Sequence, residues 1–267
     1  MIDPNTQAQL RARYNPDGSE LRRAQLRMLE MLKFIDSFCS EHDIRYWLDG
    51  GTLLGAMRHG GYIPWDDDTD IAMTRQDAEK FKRLMLELHP HPDFVLQCRE
   101  TDPGFFGFWN VLRDLKSEYV QDSGLHRRRN LRGLQVDIFP FEPHQNRLLQ
   151  RLSGTLANRL VERPLMRSAS ADVGSRYRFL TRWLFPAFRV LGRVSASSRL
   201  RLSPGCPWYH SVASATVFPL TKAVFEGHEF PVPADSDAYL TSVYGDWRQI
   251  PDSDNIATHD TKFLFFE

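Results

Sequence analysis

A chain of 267 residues with 34 basic and 34 acidic side chains has no net charge, so no global attraction draws it to nucleic acid. Apolar content of 42% and charged content of 25% are those of a soluble globular protein with room for one large domain or two small ones. Cys39, Cys98 and Cys206 lie far apart with no C-x-x-C, which excludes a disulfide framework or zinc cage. They point to a reducing, cytoplasmic setting, and the polar opening MIDPNTQAQLRARYNPDGSE predicts no signal peptide.

Residues 1–19 read as a polar lead-in of poor order. Leu21, Ala24, Met28, Met31, Ile35 and Phe38 recur at three- and four-residue steps and predict an amphipathic core helix to Cys39. Ile44 to Leu48 then reads as a short buried strand, Gly50-Gly51 as a tight turn, and Thr52 to Arg58 as a helix opened by that turn. Asp68 to Met73 forms the next strand, entered through the run Asp66-Asp67-Asp68-Thr69-Asp70. Thr74 and Asp77 have capping-box spacing, and the helix they start runs to about His89. The histidines of His89-Pro90-His91-Pro92 read as solvated punctuation rather than metal ligands.

Strands follow at Phe94 to Cys98, Phe106 to Leu112, Glu118 to Val120 and Leu134 to Pro140. The basic turn 126–132, HRRRNLR, is either a solvated loop or an arginine clamp on an anionic substrate. From Arg147 to Arg201 the composition changes to twelve arginines against Glu162 and Asp172 alone, with apolar helical runs between. The simpler reading is a helical cap with its arginines in water. The alternative is an amphipathic face on an anionic membrane, or a pocket for a lipid-linked or polyanionic acceptor. No run is long enough to span a membrane. Ser203-Pro204-Gly205 reads as a boundary, Phe225 to Phe230 as a short strand, and Asp235 to Tyr244 as a helix capped by Gly245. The implied division is 1–19 lead-in, 20–143 catalytic core, 144–204 Arg-rich insertion and 205–267 a segment packing back on the core.

The chemistry concentrates between Tyr46 and Met73. Glycines at a strand-to-helix turn let backbone approach a phosphate, whose charge the free N–H groups of the helix start would hold. Asp68 and Asp70 share one strand face and repel unless a cation lies between them, and all-oxygen ligands select Mg²⁺ or Mn²⁺. Asp137, inside an apolar strand, is expensive to bury alone, and sharing that cation removes the expense. Taken singly, the acidic run is a solvated turn and the glycine pair a plain one. Their order between strands favours phosphoryl or nucleotidyl transfer. An EF-hand is excluded, since Ile71 stands where its loop needs Gly and Asp77 where it needs Glu. A DxD nucleotide-sugar glycosyltransferase remains an alternative.

The string LDGGTLLGAMRHGGYIPWDDDTDIAM, Leu48 to Met73, resembles the signature of the LicD/fukutin-related family, a branch of the nucleotidyltransferase-fold superfamily. Weaker echoes lie at LQVDIFPFEP and at Phe225 to Trp247, and the middle of the chain is not covered. The resemblance implies an α+β fold: a mixed nucleotidyltransferase-type sheet flanked by helices, here with the Arg-rich insertion. It implies transfer of a phospho-alcohol, such as phosphocholine or ribitol phosphate, from a CDP-activated donor to a hydroxyl of a cell-surface glycan, teichoic acid or lipopolysaccharide among them. It aligns Asp137 with the superfamily's third carboxylate.

On this reading Asp68, Asp70 and Asp137 hold Mg²⁺ (or Mn²⁺), with Asp66 as alternate ligand or proton acceptor. Gly50, Gly51, Thr52 and Arg58 hold phosphates, and Asp49, His59, Trp65, Arg128, Asp246 and His259 shape the substrate pocket. The expected partners are the CDP-activated donor and a glycan acceptor, lipid-linked in one version, with peripheral contact at the inner membrane face through 147–201. Nucleic acid is not among them. The competing readings are transfer of the nucleotide itself to a protein or RNA, the glycosyltransferase, and a non-catalytic binding module.

Overall fold

A computed structural model describes residues 2–120, 128–143, 146–168, 170–193, 198–208, 211–251 and 262–266. Its centre is a seven-stranded sheet built around one long strand, Gln135–Pro143 (β6), buried along nearly its whole length. Asp70–Thr74 (β2) pairs parallel with β6 on one side, and Tyr46–Leu48 (β1) pairs antiparallel with β2. On the other side Asn110–Asp114 (β4) pairs antiparallel with the first half of β6, and Phe94–Gln97 (β3) pairs with β4. Arg199–Leu202 (β7) takes the second half of that edge and carries Ser211–Ala213 (β8). This is the expected α+β arrangement of a mixed sheet flanked by helices.

Glu20–Glu41 (α2) realises the helix read from the 3–4 spacing, burying Ala24, Met28, Met31, Leu32, Ile35 and Phe38 in the main core. Gly50–His59 (α3) joins β1 to β2. Arg75–Leu88 (α4) follows β2 and opens as expected: Thr74 Oγ1 accepts from the Asp77 amide (3.1 Å) and donates to Asp77 Oδ2 (2.6 Å). Thr74→Ala removes this cap, and a loss of about 1 kcal/mol, or about 3 °C in Tm, is expected by calorimetry.

Four expectations give way to the structure. The lead-in is ordered as helix Pro4–Tyr14 (α1), capped by Asp3 with proline in its first turn. It is held by Ile2 N–H on the Arg58 carbonyl and by Tyr14 edge-on to Trp65. Ser203-Pro204-Gly205 is no boundary: it follows β7, with Ser203 bonded to Glu142 and the Gly205 amide donating to Ser153 Oγ at 3.1 Å. The strand expected over Phe225–Phe230 is a hairpin, Thr221–Phe225 (β9) and His228–Val232 (β10), turning at Glu226 and Gly227 with positive φ. The strand expected from Phe106 begins only at Asn110. Ser117–Val120 (β5) pairs with Lys262–Phe265 (β11).

Between β6 and β7 the chain runs out and back as an antiparallel helical pair, Arg147–Arg167 and Gly174–Gly192. A second core forms between them from Ala157, Val161, Leu165, Leu180, Phe185 and Phe188. Each helix widens into one π turn, at Asn158–Glu162 and Leu180–Leu184. Both stand just before a proline, Pro164 and Pro186, whose missing N–H breaks the ordinary ladder; Arg163 and Phe185 reach back to Asn158 and Leu180 across the gap. No helix among the described residues is long and apolar enough to cross a membrane.

Candidate active site

The parallel pairing of β2 with β6 decides the site, because it sets Asp70 directly opposite Asp137. Paired residues on neighbouring strands present their side chains to the same face, with strands about 4.8 Å apart. The Asp137 amide donates to the Thr69 carbonyl at 2.9 Å, and the Asp49 amide to the Asp70 carbonyl at 3.1 Å. The strand begins at Asp70 rather than at Asp68; residues 66–69 enter it without regular secondary structure, and Asp66, Asp67 and Asp68 bring carboxylate oxygens within 4.8 Å of one another.

The glycine pair has a part that sequence alone did not show. A Cβ on Gly50 would lie 2.4 Å from Asp70 Oδ2, and one on Gly51 2.6 Å from Asp66 Oδ2. Gly50 also sits at φ +52°. The two glycines therefore make room for carboxylates against the N-terminus of α3, whose dipole favours negative charge.

The charges are under strain. Burial pushes the Asp70 carboxyl well above the usual range, and Asp68, Asp137, Asp49 and Asp66 push it further. Asp66 is raised the same way, by burial and then by Asp68 and Asp67. Asp137 is raised by burial, against the opposing pull of Trp109, Arg113, Arg129 and Gln135. Trp109 Nε1 donates to its Oδ1 and Gln135 Nε2 to its Oδ2, both at 2.7 Å. Among the described residues no salt bridge reaches Asp66 or Asp70. A cluster of carboxylates that repel one another, Asp66 and Asp70 above all, fits a hard divalent cation.

The other expected residues divide. Asp49 joins the cluster, with its Oδ1 accepting from Tyr239 Oη at 2.7 Å. Thr52 is turned inward: its Oγ1 accepts the Asp70 amide at 2.8 Å and clasps α3 to β2. Arg58 lies at the far end of α3, donating to the carbonyls of Trp247 (3.0 Å) and Gln249 (2.9 Å), so it anchors the C-terminal segment. Arg58 Nε can only donate, which makes His59 Nε2 the acceptor and leaves the ring proton on Nδ1, bonded to Gln7 at 2.7 Å. Burial and Arg58 hold His59 down at about 3, a neutral latch on α1. Trp65 packs on Tyr14 and His59. Arg128 donates to the Ala171 carbonyl at 3.0 Å and covers Phe106, tying its loop to the helical pair. Asp246 is exposed and bonded to Gln249, and His259 lies outside the described residues.

The sequence reading missed several neighbours. Arg113 and Arg129, rather than Arg128, are the guanidinium groups whose fields reach Asp137. Tyr119 Oη donates to Asp67 Oδ2 at 2.9 Å. Tyr244, the last residue of the helix Ser236–Tyr244, is half exposed, and its phenol is pushed up by desolvation and then by the charge of Asp49, Asp70, Asp66 and Asp68. Gln135, two residues before Asp137 on one strand, was open to detection by its period; the others come from distant segments. Trp109 also packs against Phe139 and Trp208, forming an aromatic wall beside Asp137. Behind Trp109 a cavity of about 560 Å³ opens between α4 and the helical pair, lined by Arg75, Lys82, Arg99, Arg178 and Arg182 among others.

Residues 43–162 match the family described as LicD/FKTN/FKRP, nucleotidyltransferase domain. Over that span the chain is similar to this family. The matched span contains all five clustered acids from Asp49 to Asp70 and also Asp137. Relatives with named activities are similar to the chain as well. The lipopolysaccharide cholinephosphotransferase LicD of Haemophilus influenzae is 26% identical over 266 residues, covering 90% of this chain and 95% of that protein. The mouse ribitol 5-phosphate transferase FKRP is 40% identical over 118 residues, 43% of this chain but 20% of that protein.

Proposed function

We propose that the chain is a phosphotransferase that moves a phospho-alcohol from a CDP-activated donor to a hydroxyl of a cell-surface glycan. The observation that carries this is the Asp70–Asp137 register pair beside the Asp66–Asp68 carboxylates, in a chain whose relatives move phosphocholine and ribitol phosphate. Asp68, Asp70 and Asp137 would hold Mg²⁺ (or Mn²⁺), with Asp66 as a further ligand. When bound, that ion neutralises charge on the donor pyrophosphate and on the departing CMP.

The chain's own groups do the rest. Trp109 and Gln135 fix the Asp137 carboxylate, so its oxygens are aimed before substrate arrives. Arg129 offers a positive partner to the donor phosphates beside Asp137. Asp66, at the strand entrance, would take the proton of the attacking hydroxyl when it is not itself bound to the ion. The basic cavity behind Trp109 is where an acceptor would approach.

The test is CMP release from CDP-choline and CDP-ribitol, with mass analysis of the product. Activity is expected to vanish with chelator and return with Mg²⁺, and Asp68→Asn is expected to lose on the order of a hundredfold or more. A nucleotide left covalently on protein or RNA would move the chain to the nucleotidyl-transfer class. Near-wild-type turnover in the Asp68→Asn enzyme would reject the ion-holding role.

A further inference from the structure

The chain's zero net charge hides a separation of charge. Twelve arginines and only two acids lie in 147–201, so that segment carries a formal +10 and the remainder of the chain −10. The helices of this segment are also apolar on both sides. Val173, Leu180, Phe185 and Phe188 face inward and build the second core. Phe179, Trp183, Ala187 and Val190 recur at three- and four-residue steps on the opposite side, and all are exposed; Trp183 is 72% exposed and Val190 62%. Arg176, Arg182 and Arg193 flank them, also exposed. On the partner helix Leu148, at 74%, and Met166 stand out with Arg151, Arg163 and Arg167.

A helix with one face in its own core and a second apolar stripe in water leaves that stripe uncovered. We infer that the outer face of the helix Gly174–Gly192 docks on a membrane surface of anionic glycerophospholipids. The partner is selected by charge and by shape of side chain. Trp and Phe between arginines seat at the headgroup boundary, while the guanidinium groups meet phosphate. Each arginine brought to such a surface strengthens binding about fivefold. The −10 remainder is repelled by the same surface, which fixes the orientation: insertion down, carboxylate cluster away from the lipid. This inference stands apart from the transfer chemistry and survives its failure.

The experiment is flotation of the full chain with phosphatidylcholine vesicles, with and without phosphatidylglycerol. Binding is expected only with the anionic lipid, and weaker as salt rises. Trp183→Asp is expected to weaken it at least tenfold and Arg176→Glu at least fivefold, both with unchanged melting, while Trp183→Phe retains it. The Trp emission lost in Trp183→Phe is expected to be the part that shifts blue on vesicle binding. Equal binding to both vesicles, no binding to either, or indifference to Trp183→Asp would overturn the proposal. So would a dimer in sedimentation velocity that Trp183→Asp makes monomeric, since the face would then belong to a second copy of the chain.

Discussion

Asp70→Asn is expected to cut CMP release on the order of a thousandfold and, at the same time, to raise the melting temperature of the metal-free protein. The two effects have one source. Asp70 is half-buried among four other carboxylates and its own carboxyl is held well above the ordinary range. Neutralising it relieves repulsion in the free protein and removes a ligand from the loaded one. Active sites that concentrate like charge trade stability for function in this way.

The pH dependence gives the sign a second check. Asp70, Asp66 and Asp137 all have folded-state values above their unfolded ones. The folded chain therefore binds these protons more tightly than the unfolded chain. Their contribution to stability is fully present below the unfolded carboxylate value, about 4, and is lost as pH rises through the raised folded values. As pH rises above the ordinary carboxylate range, melting of the metal-free wild type should fall more steeply than that of Asp70→Asn. Mg²⁺ should stabilise the wild type more at higher pH, because protons and the ion compete for the same oxygens. Calorimetry over the same rise checks both slopes. A lowered Tm in Asp70→Asn, with a Mg²⁺ shift indifferent to pH, would remove the basis for an ion at this cluster.

What the sequence revealed of this site was set by distance along the chain. Helix α2, the β1–α3–β2 unit and the Thr74 cap are local patterns, and each appears within a few residues of its expected bounds. Asp137 is distant from Asp70 in sequence, yet it was detectable because a lone acid in an apolar strand asks for a partner. Arg58 was not readable. It lies only eight residues from Gly50, but a helix of that length carries its guanidinium to the opposite end, where the partners are carbonyls of the C-terminal segment. In the HRRRNLR run composition could not choose among the arginines. The choice between Arg128 and Arg129 depends on Asp102, whose carboxylate accepts from the Gly104, Asn130 and Leu131 amides and so sets the loop. Helix α1 was missed because it buries no residue of its own, so it has no stripe to read; its only local sign is the Asp3-Pro4 start.

Glu226→Ala should be the most destabilising of the substitutions considered, at about 3 kcal/mol or a drop of about 10 °C in Tm. Glu226 sits at the β9–β10 turn with φ +51°. Its carboxylate accepts from Arg22 at 2.6 and 3.1 Å and from the Tyr62 amide at 3.0 Å, with the two side chains only 9% and 15% exposed. Removing it strands a buried guanidinium, which is worse than never having had the pair. Arg22 and its hydrogen-bonded pull hold Glu226 below the ordinary carboxylate range even though burial opposes them. The pair's stability is therefore present above the unfolded value and lost as pH falls through the folded one, a slope opposite to that of the aspartate cluster. The same change should also reach the site. Arg22 bonds Gln25, whose Nε2 holds the Asp66 carbonyl at 2.9 Å. Weaker Mg²⁺ binding in Glu226→Ala, with partial return in Glu226→Gln, which keeps an acceptor for the Tyr62 amide, would show that this distant turn steadies the entrance of β2. Full Mg²⁺ affinity in a protein melting about 10 °C lower would confine Glu226 to the fold.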